Sequence, residues 1–308
     1  MYKRPAWIAV LGVSALALIT GCSGSPTDDA AGKTGSDGTV TIAASFYPLQ
    51  YVTQRIAGNR ANVSSLTPPG AEPHDLELRP KDVATLSDAT FTVYLRGFQP
   101  AVDDAVAAGP GGDNVVDVSS AAKLDRTVAD EEGETGTDPH FWLDPQRLSA
   151  VATLIEQRLA ASDQAGASTY QANLVTLKAD LAALDQEFQT GLASCANKDL
   201  VTSHQAFGYL ADRYGLTQVG ITGLAPDEEP NPATLARVSD FVRAHKVRTI
   251  YYETLISPAI AETVASETGA RTAVLDPIEG ITDESQGADY LAIMRANLKD
   301  LKEGQPCP

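Results

Sequence analysis

Compact metal and nucleophile motifs are missing from this chain. Its 308 residues contain no His-Glu-x-x-His, no Cys-x-x-Cys and no Gly-x-Ser-x-Gly. Those absences exclude a zinc finger, a zincin-type catalytic helix and a serine-hydrolase elbow. Basic residues are also in deficit, 23 against 40 acidic ones, for a formal net charge of −17. Such a surface repels phosphate backbones and anionic lipid, so no nucleic-acid partner is expected. The same charge is compatible with drawing in cations and equally with simple solubility. Only one N-terminal apolar run stands out, Ala6 to Ile19, and it is too short to span a bilayer.

That run follows Lys3 and Arg4 and leads into Leu18-Ile19-Thr20-Gly21-Cys22. A basic start, a short apolar stretch and a small residue before the break describe an export signal over residues 1–21. Cysteine immediately after the small residue is the pattern of a bacterial lipoprotein, with the lipid on Cys22. The alternative is an ordinary signal peptide followed by a chance cysteine. Residues 22–38 are small, polar and turn-prone, as a flexible tether should be. The expected location is extracytoplasmic, lipid-anchored to the outer face of the cell membrane. Removing Cys22 from the count leaves Cys195 and Cys307, an even remainder that favours one disulfide in an exported protein over two free thiols.

The rest of the chain alternates strand and helix patterns, predicting an α/β fold of parallel sheets covered by helices. Strands are expected near Thr39–Ala44, Asn62–Thr67, Phe91–Leu95 and Val115–Val118, with helices over Tyr47–Ala57 and Lys81–Ser87. The acidic stretch Ala129–Asp138 lacks apolar periodicity and reads as a surface loop. Pro145 can begin a helix reaching Ala161, and Leu174, Leu177, Leu181, Leu184 and Phe188 recur at helical spacing in a longer one. Asp199–Ser203, Arg248–Glu253 and Thr272–Leu275 are strands of a second half, with helices around Gln205–Tyr214, Ala233–His245, Ala259–Glu267 and Ala288–Lys302. The organisation expected is an N-terminal lobe over 39–166, a linking helix over 167–194 and a C-terminal lobe over 195–308.

Three of the four histidines, His74, His140 and His204, lie at intervals of 66 and 64 residues. Another 72 residues lead to Asp276. His74, His204 and Asp276 each fall just past an expected strand, where loops of open α/β sheets converge on ligands. Three imidazoles and one carboxylate suit zinc or a neighbouring transition metal rather than calcium or magnesium. Asp276 precedes Pro277 and is also well suited to shape a turn or cap a helix. Glu253 and Glu72 are accessory candidates, as ligand substitutes or hydrogen-bond partners. His245, near a helix C-terminus, reads as structural. Phe46, Phe141, Trp142 and Phe207 are expected to form the walls that dry the cleft.

At these residues the sequence resembles the zinc- and manganese-binding solute-binding lipoproteins of bacterial ABC importers, the metal-binding cluster A-I type. The resemblance runs from about Thr39 to Lys302. It rests on five segments in order: Ser45-Phe-Tyr-Pro-Leu49; Glu72-Pro-His74-Asp-Leu-Glu77 with Pro80-Lys-Asp82; Asp138-Pro-His140-Phe-Trp-Leu-Asp-Pro145; Ser203-His204-Gln-Ala-Phe-Gly-Tyr-Leu210; and Glu253–Pro258 with Leu275-Asp276-Pro-Ile-Glu-Gly280. It implies two βα lobes joined by one long rigid helix, with the metal between them held by His74, His140, His204 and Asp276. It further implies a monomer that delivers Zn(II) to a cognate ABC permease and its ATPase. A histidine at 204 matches the zinc branch, whereas manganese members commonly carry a carboxylate there; Mn(II) is the alternative cargo. Unlike many zinc members, the loop before His140 has no histidine between 128 and 139. A hydrolytic enzyme using the same histidines and a metal-bound water is the competing class. Surface attachment is a third, for which the sequence supplies no binding patch.

Overall fold

The computed structural model describes residues 39–109, 114–129 and 135–308. The export segment 1–21, Cys22, the tether 22–38 and half of the acidic loop, 130–134, lie outside the described residues. Among the described residues no helix is long and apolar enough to cross a membrane.

The first lobe is a four-stranded parallel sheet in the order β2-β1-β3-β4, built from Val40–Ala44 (β1), Ala61–Ser65 (β2), Phe91–Tyr94 (β3) and Val115–Asp117 (β4). Helices α1 (Tyr47–Ala57), α2 (Pro80–Asp88), α3 (Pro100–Ala108) and the single turn α4 (Ser119–Ala122) connect it. Each of the first three has proline within its first two positions, where no amide hydrogen is needed. The second lobe repeats the plan in the order β10-β9-β7-β8, from Asp199–Thr202 (β7), Thr217–Gly220 (β8), Thr249–Tyr252 (β9) and Arg271–Val274 (β10). Its helices are α7 (Gly208–Tyr214), α8 (Pro232–His245), α9 (Ala259–Thr268) and α10 (Tyr290–Gly304).

Between the sheets, α5 (Pro145–Ser162) runs back along the first lobe and α6 (Ala167–Leu192) carries the chain to the second. Asp144 caps α5 by accepting from the Gln146 amide, and Pro145 occupies its first turn. One stripe of α6, Tyr170, Leu174, Leu177, Leu181, Leu184, Phe188 and Leu192, is buried against α5, α1 and α10. Burial of a large apolar side chain contributes about 1.5–3 kcal/mol. The stripe therefore fixes α6 to elements of both lobes, and a single apolar core runs from Phe46 and Trp142 through α6 to Tyr251 and Met294.

Three features depart from the sequence expectations. Helix α3 and strand β8 were not distinguished from loop, because Pro100–Ala108 is alanine-rich with one buried side chain, Val102, and Thr217–Gly220 is a short sheet edge. The segment expected to be a plain loop before His140 instead carries two three-residue antiparallel strands, β5 (Thr127–Ala129) and β6 (Thr135–Thr137). Their one buried residue is Val128, so they give no apolar alternation to read. Helix α7 starts at Gly208 rather than Gln205, leaving 203–207 as the turn that carries His204.

Cys195 and Cys307 are joined in a disulfide across a separation of 112 residues, enclosing the whole second sheet. Closing so long a loop removes unfolded-chain entropy. Replacing both cysteines by serine is expected to lower the unfolding free energy by about 2–5 kcal/mol, measured by urea denaturation without reductant.

Candidate metal centre

The strand order reverses beside β1 in the first sheet and beside β7 in the second, and such switch points open crevices at the carboxyl ends of strands. His74 comes from the loop after β2, His140 follows β6, and His204 follows β7. Each is set by a local feature. Glu72 turns its carboxylate back to accept the amides of His74 (3.0 Å) and Asp75 (3.1 Å), shaping the first loop. Asp138 does the same for the His140 amide at 3.0 Å. Ser203 and Thr222 extend the β7 register by backbone bonds to Tyr251 and Ser203, presenting His204 at the strand end.

The fourth group is Glu279, not Asp276. Among the described residues, His74, His140, His204 and Glu279 form the group whose ligand-capable atoms all lie within 4.8 Å of one another. Glu279 Oε1 stands 3.1 Å from His140 Nε2, 3.4 Å from His204 Nε2 and 3.5 Å from His74 Nε2. The Nε2 atoms of His140 and His204 are themselves 3.4 Å apart. Asp276 points elsewhere: its Oδ1 accepts the Ile278 amide at 2.7 Å and its Oδ2 accepts from the Thr254 hydroxyl. Asn297 holds its backbone on both sides, donating to the Asp276 carbonyl at 2.7 Å and accepting from its amide at 2.9 Å.

The turn that Asp276 builds is what aims Glu279. Ile278 sits at φ +59°, a left-handed conformation that a β-branched residue enters at a cost of about 1–3 kcal/mol. Neighbouring contacts impose it. Trp142 Nε1 donates to the Pro277 carbonyl at 2.7 Å, and the Tyr290 hydroxyl donates to the Trp142 carbonyl at 2.6 Å. Asp276 thus shapes the turn, and the carboxylate that faces the three histidines lies three residues further on. The signal available in the sequence was the second carboxylate in Leu275-Asp276-Pro-Ile-Glu279-Gly280.

Glu279 is completely buried, and neither of its carboxylate oxygens has a hydrogen-bond donor; His74 Nε2 is likewise unpaired. Two of the three distances from Oε1 are too long for good hydrogen bonds, and all three match another geometry. A tetrahedron with metal–ligand bonds of about 2.0–2.1 Å has edges of about 3.3–3.4 Å. The residues thus fit one zinc-sized ion. The remaining imidazole nitrogens face outward to acceptors: His140 Nδ1 lies 2.8 Å from Asp138 Oδ1, and His204 Nδ1 lies 2.7 Å from Glu253 Oε1. With Nδ1 donating its proton, each Nε2 presents a lone pair inward. Glu253 also accepts from the Ser203 hydroxyl at 2.8 Å, so it is a hydrogen-bond partner rather than a member of the cluster.

Burial pushes the Glu279 carboxyl up, but His74, His140 and His204 around it outweigh that and hold it well below its ordinary value. In return, His140 is raised despite burial by Asp138 and Glu279. Burial also opposes the charge on His204, yet Glu253 and Glu279 raise it to about 10. Asp276 is pushed up to about 6 by burial, and Glu72 is raised by burial too. Aromatic rings wall the site. His74 meets the Phe98 ring edge-on at 4.7 Å and His140 lies 5.2 Å from Trp142, while Phe46 and Phe141 are fully buried behind them. Phe98 was not singled out in the sequence; the others were. His245 lies outside the site, stacked on Phe241 at 3.9 Å with Nδ1 2.9 Å from Asp199.

Comparison with known proteins agrees with this geometry. Residues 42–304 match the family model described as ZnuA, zinc-uptake complex component A, periplasmic. The chain is 34% identical to the high-affinity zinc uptake system protein ZnuA of Bacillus subtilis, over 98% of both chains. It is 35% identical to the zinc-binding lipoprotein AdcA of Streptococcus pneumoniae, spanning 56% of that longer protein. Among solved structures, the laminin-binding protein Lmb of Streptococcus agalactiae superposes with a TM-score of 0.77 at 30% identity, over 87% of this chain and 99% of that one. The Zn(II)-bound ZnuA-like domain of pneumococcal AdcA gives 0.72 at 34% identity, over 87% and 99%. The chain belongs to the ZnuA family of periplasmic zinc-uptake components.

Proposed function

We propose that this chain captures Zn(II) outside the cytoplasm with His74, His140, His204 and Glu279 and delivers it to an ABC importer. The observation that carries this reading is the orphaned buried carboxylate of Glu279 at tetrahedral-edge distance from three Nε2 atoms. Three neutral imidazoles and one carboxylate around Zn²⁺ leave a net charge of +1 and complete a closed four-ligand shell. Such a shell has no open position for a reactive water, which favours a binding protein over a hydrolytic enzyme. A nitrogen at 204 in place of a carboxylate favours zinc over manganese. The relatives named for zinc uptake and zinc binding support the same cargo. The reading extends to lipid attachment through Cys22, a monomeric chain, and handover to a permease driven by its own ATPase.

Zinc must displace protons to enter. At neutral pH the raised His204, and His140 beside it, hold protons that the ion replaces. Zinc affinity therefore rises with pH from about 6.5 toward 10. The metal-free fold behaves oppositely. A histidine whose pKa is raised on folding stabilises fully below its unfolded value near 6.5, and that contribution is lost as pH climbs through about 10.

Titration of the demetallated chain with Zn(II), in competition with Mn(II), is expected to give one zinc per chain that manganese does not displace. Absence of stoichiometric zinc binding would refute the proposal. Glu279→Gln should weaken zinc by tenfold or more, whereas Asp276→Asn, acting through the turn, should cost less; the reverse order would restore Asp276 as the ligand. Calorimetry at pH 7.5 in buffers of different ionisation enthalpy should show net proton release, and the midpoint of thermal unfolding of the metal-free protein should fall between pH 6.5 and 10.

A further inference from the structure

His140 is linked to the opposite lobe by a chain of charged groups that zinc ligation alone does not call for. Asp138, which is fully buried, spends Oδ1 on the amide and Nδ1 of His140. Its other oxygen, Oδ2, accepts from Arg126 Nε at 3.3 Å. Arg126 and Asp138 face each other because they continue the β5–β6 ladder by one step, with the Asp138 amide donating to the Arg126 carbonyl at 3.0 Å. The same guanidinium then crosses to the second lobe, where Nη1 pairs with Asp212 on α7.

Helix α7 is shaped to receive this arrangement. Its first residue is Gly208, and a Cβ there would come within 2.4 Å of Arg126 Nε and 2.6 Å of Asp138 Oδ2. Any side chain would wedge the ion pair off the helix. One position on, the Tyr209 hydroxyl donates to the Asp138 carbonyl at 3.1 Å and accepts from the Arg126 amide at 3.4 Å. The guanidinium of Arg147 covers the Tyr209 ring at 4.4 Å. The loop of His74 is shaped differently, by the Glu72 carboxylate of its own lobe.

We infer that Arg126 is a positioning residue for metal capture: by gripping Asp138 and Asp212 together, it makes the orientation of the His140 ring depend on α7 being seated against the first lobe. The inference rests on the zinc-binding reading of the site. When α7 is seated, Asp138 is fixed and His140 Nε2 is aimed at the ion. When the Asp212 contact opens, Arg126 loses its anchor, Asp138 gains freedom, and the ring is released from its ligating pose. Removing a partner behind a metal-bound histidine typically costs about 10–100-fold in affinity. A guanidinium is required because one planar fork must serve two carboxylates at once, which an ammonium cannot do with the same geometry.

The test uses the mature chain with Arg126→Ala, Arg126→Lys, Asp212→Asn and Gly208→Ala. Zinc affinity is read by chelator competition, zinc release by stopped flow, and ligand geometry by the visible spectrum of the Co(II)-substituted protein. Arg126→Ala is expected to weaken zinc about 10–100-fold, chiefly through faster release, and to alter the Co(II) bands, with Arg126→Lys recovering only part of the affinity. Asp212→Asn and Gly208→Ala should both speed release, and adding Asp212→Asn to Arg126→Ala should have little further effect. Wild-type affinity, release rate and Co(II) spectrum in Arg126→Ala would overturn the inference while leaving the zinc reading intact. The inference is equally overturned if Arg126→Ala and Asp212→Asn act additively. A wild-type chain that takes up no zinc overturns both, so the two failures are distinguishable.

Discussion

A carboxylate without a hydrogen bond, sealed in the interior, is the constraint around which the rest of this protein is arranged. An isolated buried anion is too costly to persist. Glu279 remains charged because three imidazoles surround it. Those imidazoles need their own compensation, which Asp138 and Glu253 supply to His140 and His204. The charges thus alternate outward: carboxylate, imidazole, carboxylate, and at one corner the guanidinium of Arg126. Four negative groups counting Glu72 face three rings that are neutral in their ligating form. The balance is restored either by protons or by a divalent cation, and competition between the two sets the pH dependence of capture.

Positioning such charges to within a few tenths of an ångström takes rigid support, and the scaffold provides it from both lobes. Trp142, two residues after His140, donates to the carbonyl of Pro277, two residues before Glu279. Tyr290 at the start of α10 donates back to Trp142. The apolar stripe of α6 packs on both α5, which begins just after Trp142, and α10, so the loops bearing His140 and Glu279 share one packed foundation. The strained backbone at Ile278 is tolerated because these contacts over-determine it. The strain is local to the residue that must turn the chain so that the next side chain points into the cleft.

Much of this was legible in the sequence, and the failures have physical causes. The long helix was readable because Leu174, Leu177, Leu181, Leu184 and Phe188 repeat at helical spacing, and every one of them is buried. The three histidines were readable because each follows a strand or a turn motif. The fourth member of the cluster was not, because Asp276 and Glu279 sit on one loop and both offer a carboxylate; only the backbone path through Ile278 decides which faces inward. Spacing fixes where a loop begins, whereas a left-handed residue in its middle reverses which side chain enters the site. The β5–β6 hairpin was missed for a related reason: its strands bury only Val128, so its order comes from tertiary contacts such as Arg126 with α7, not from any alternation.

That hairpin changes how the acidic stretch before His140 should be understood. Read as loop, Asp130–Asp138 is a run of solvated charge. In the folded protein its last member, Asp138, is fully buried and has both oxygens committed, one to His140 and one to Arg126. A neutral residue at 138 would free the Nδ1 proton of His140 and strand the Arg126 guanidinium against α7. The geometry of a zinc site thus depends as much on the carboxylates that never touch the metal as on the one that does, because they decide which imidazole nitrogen is left to bind it.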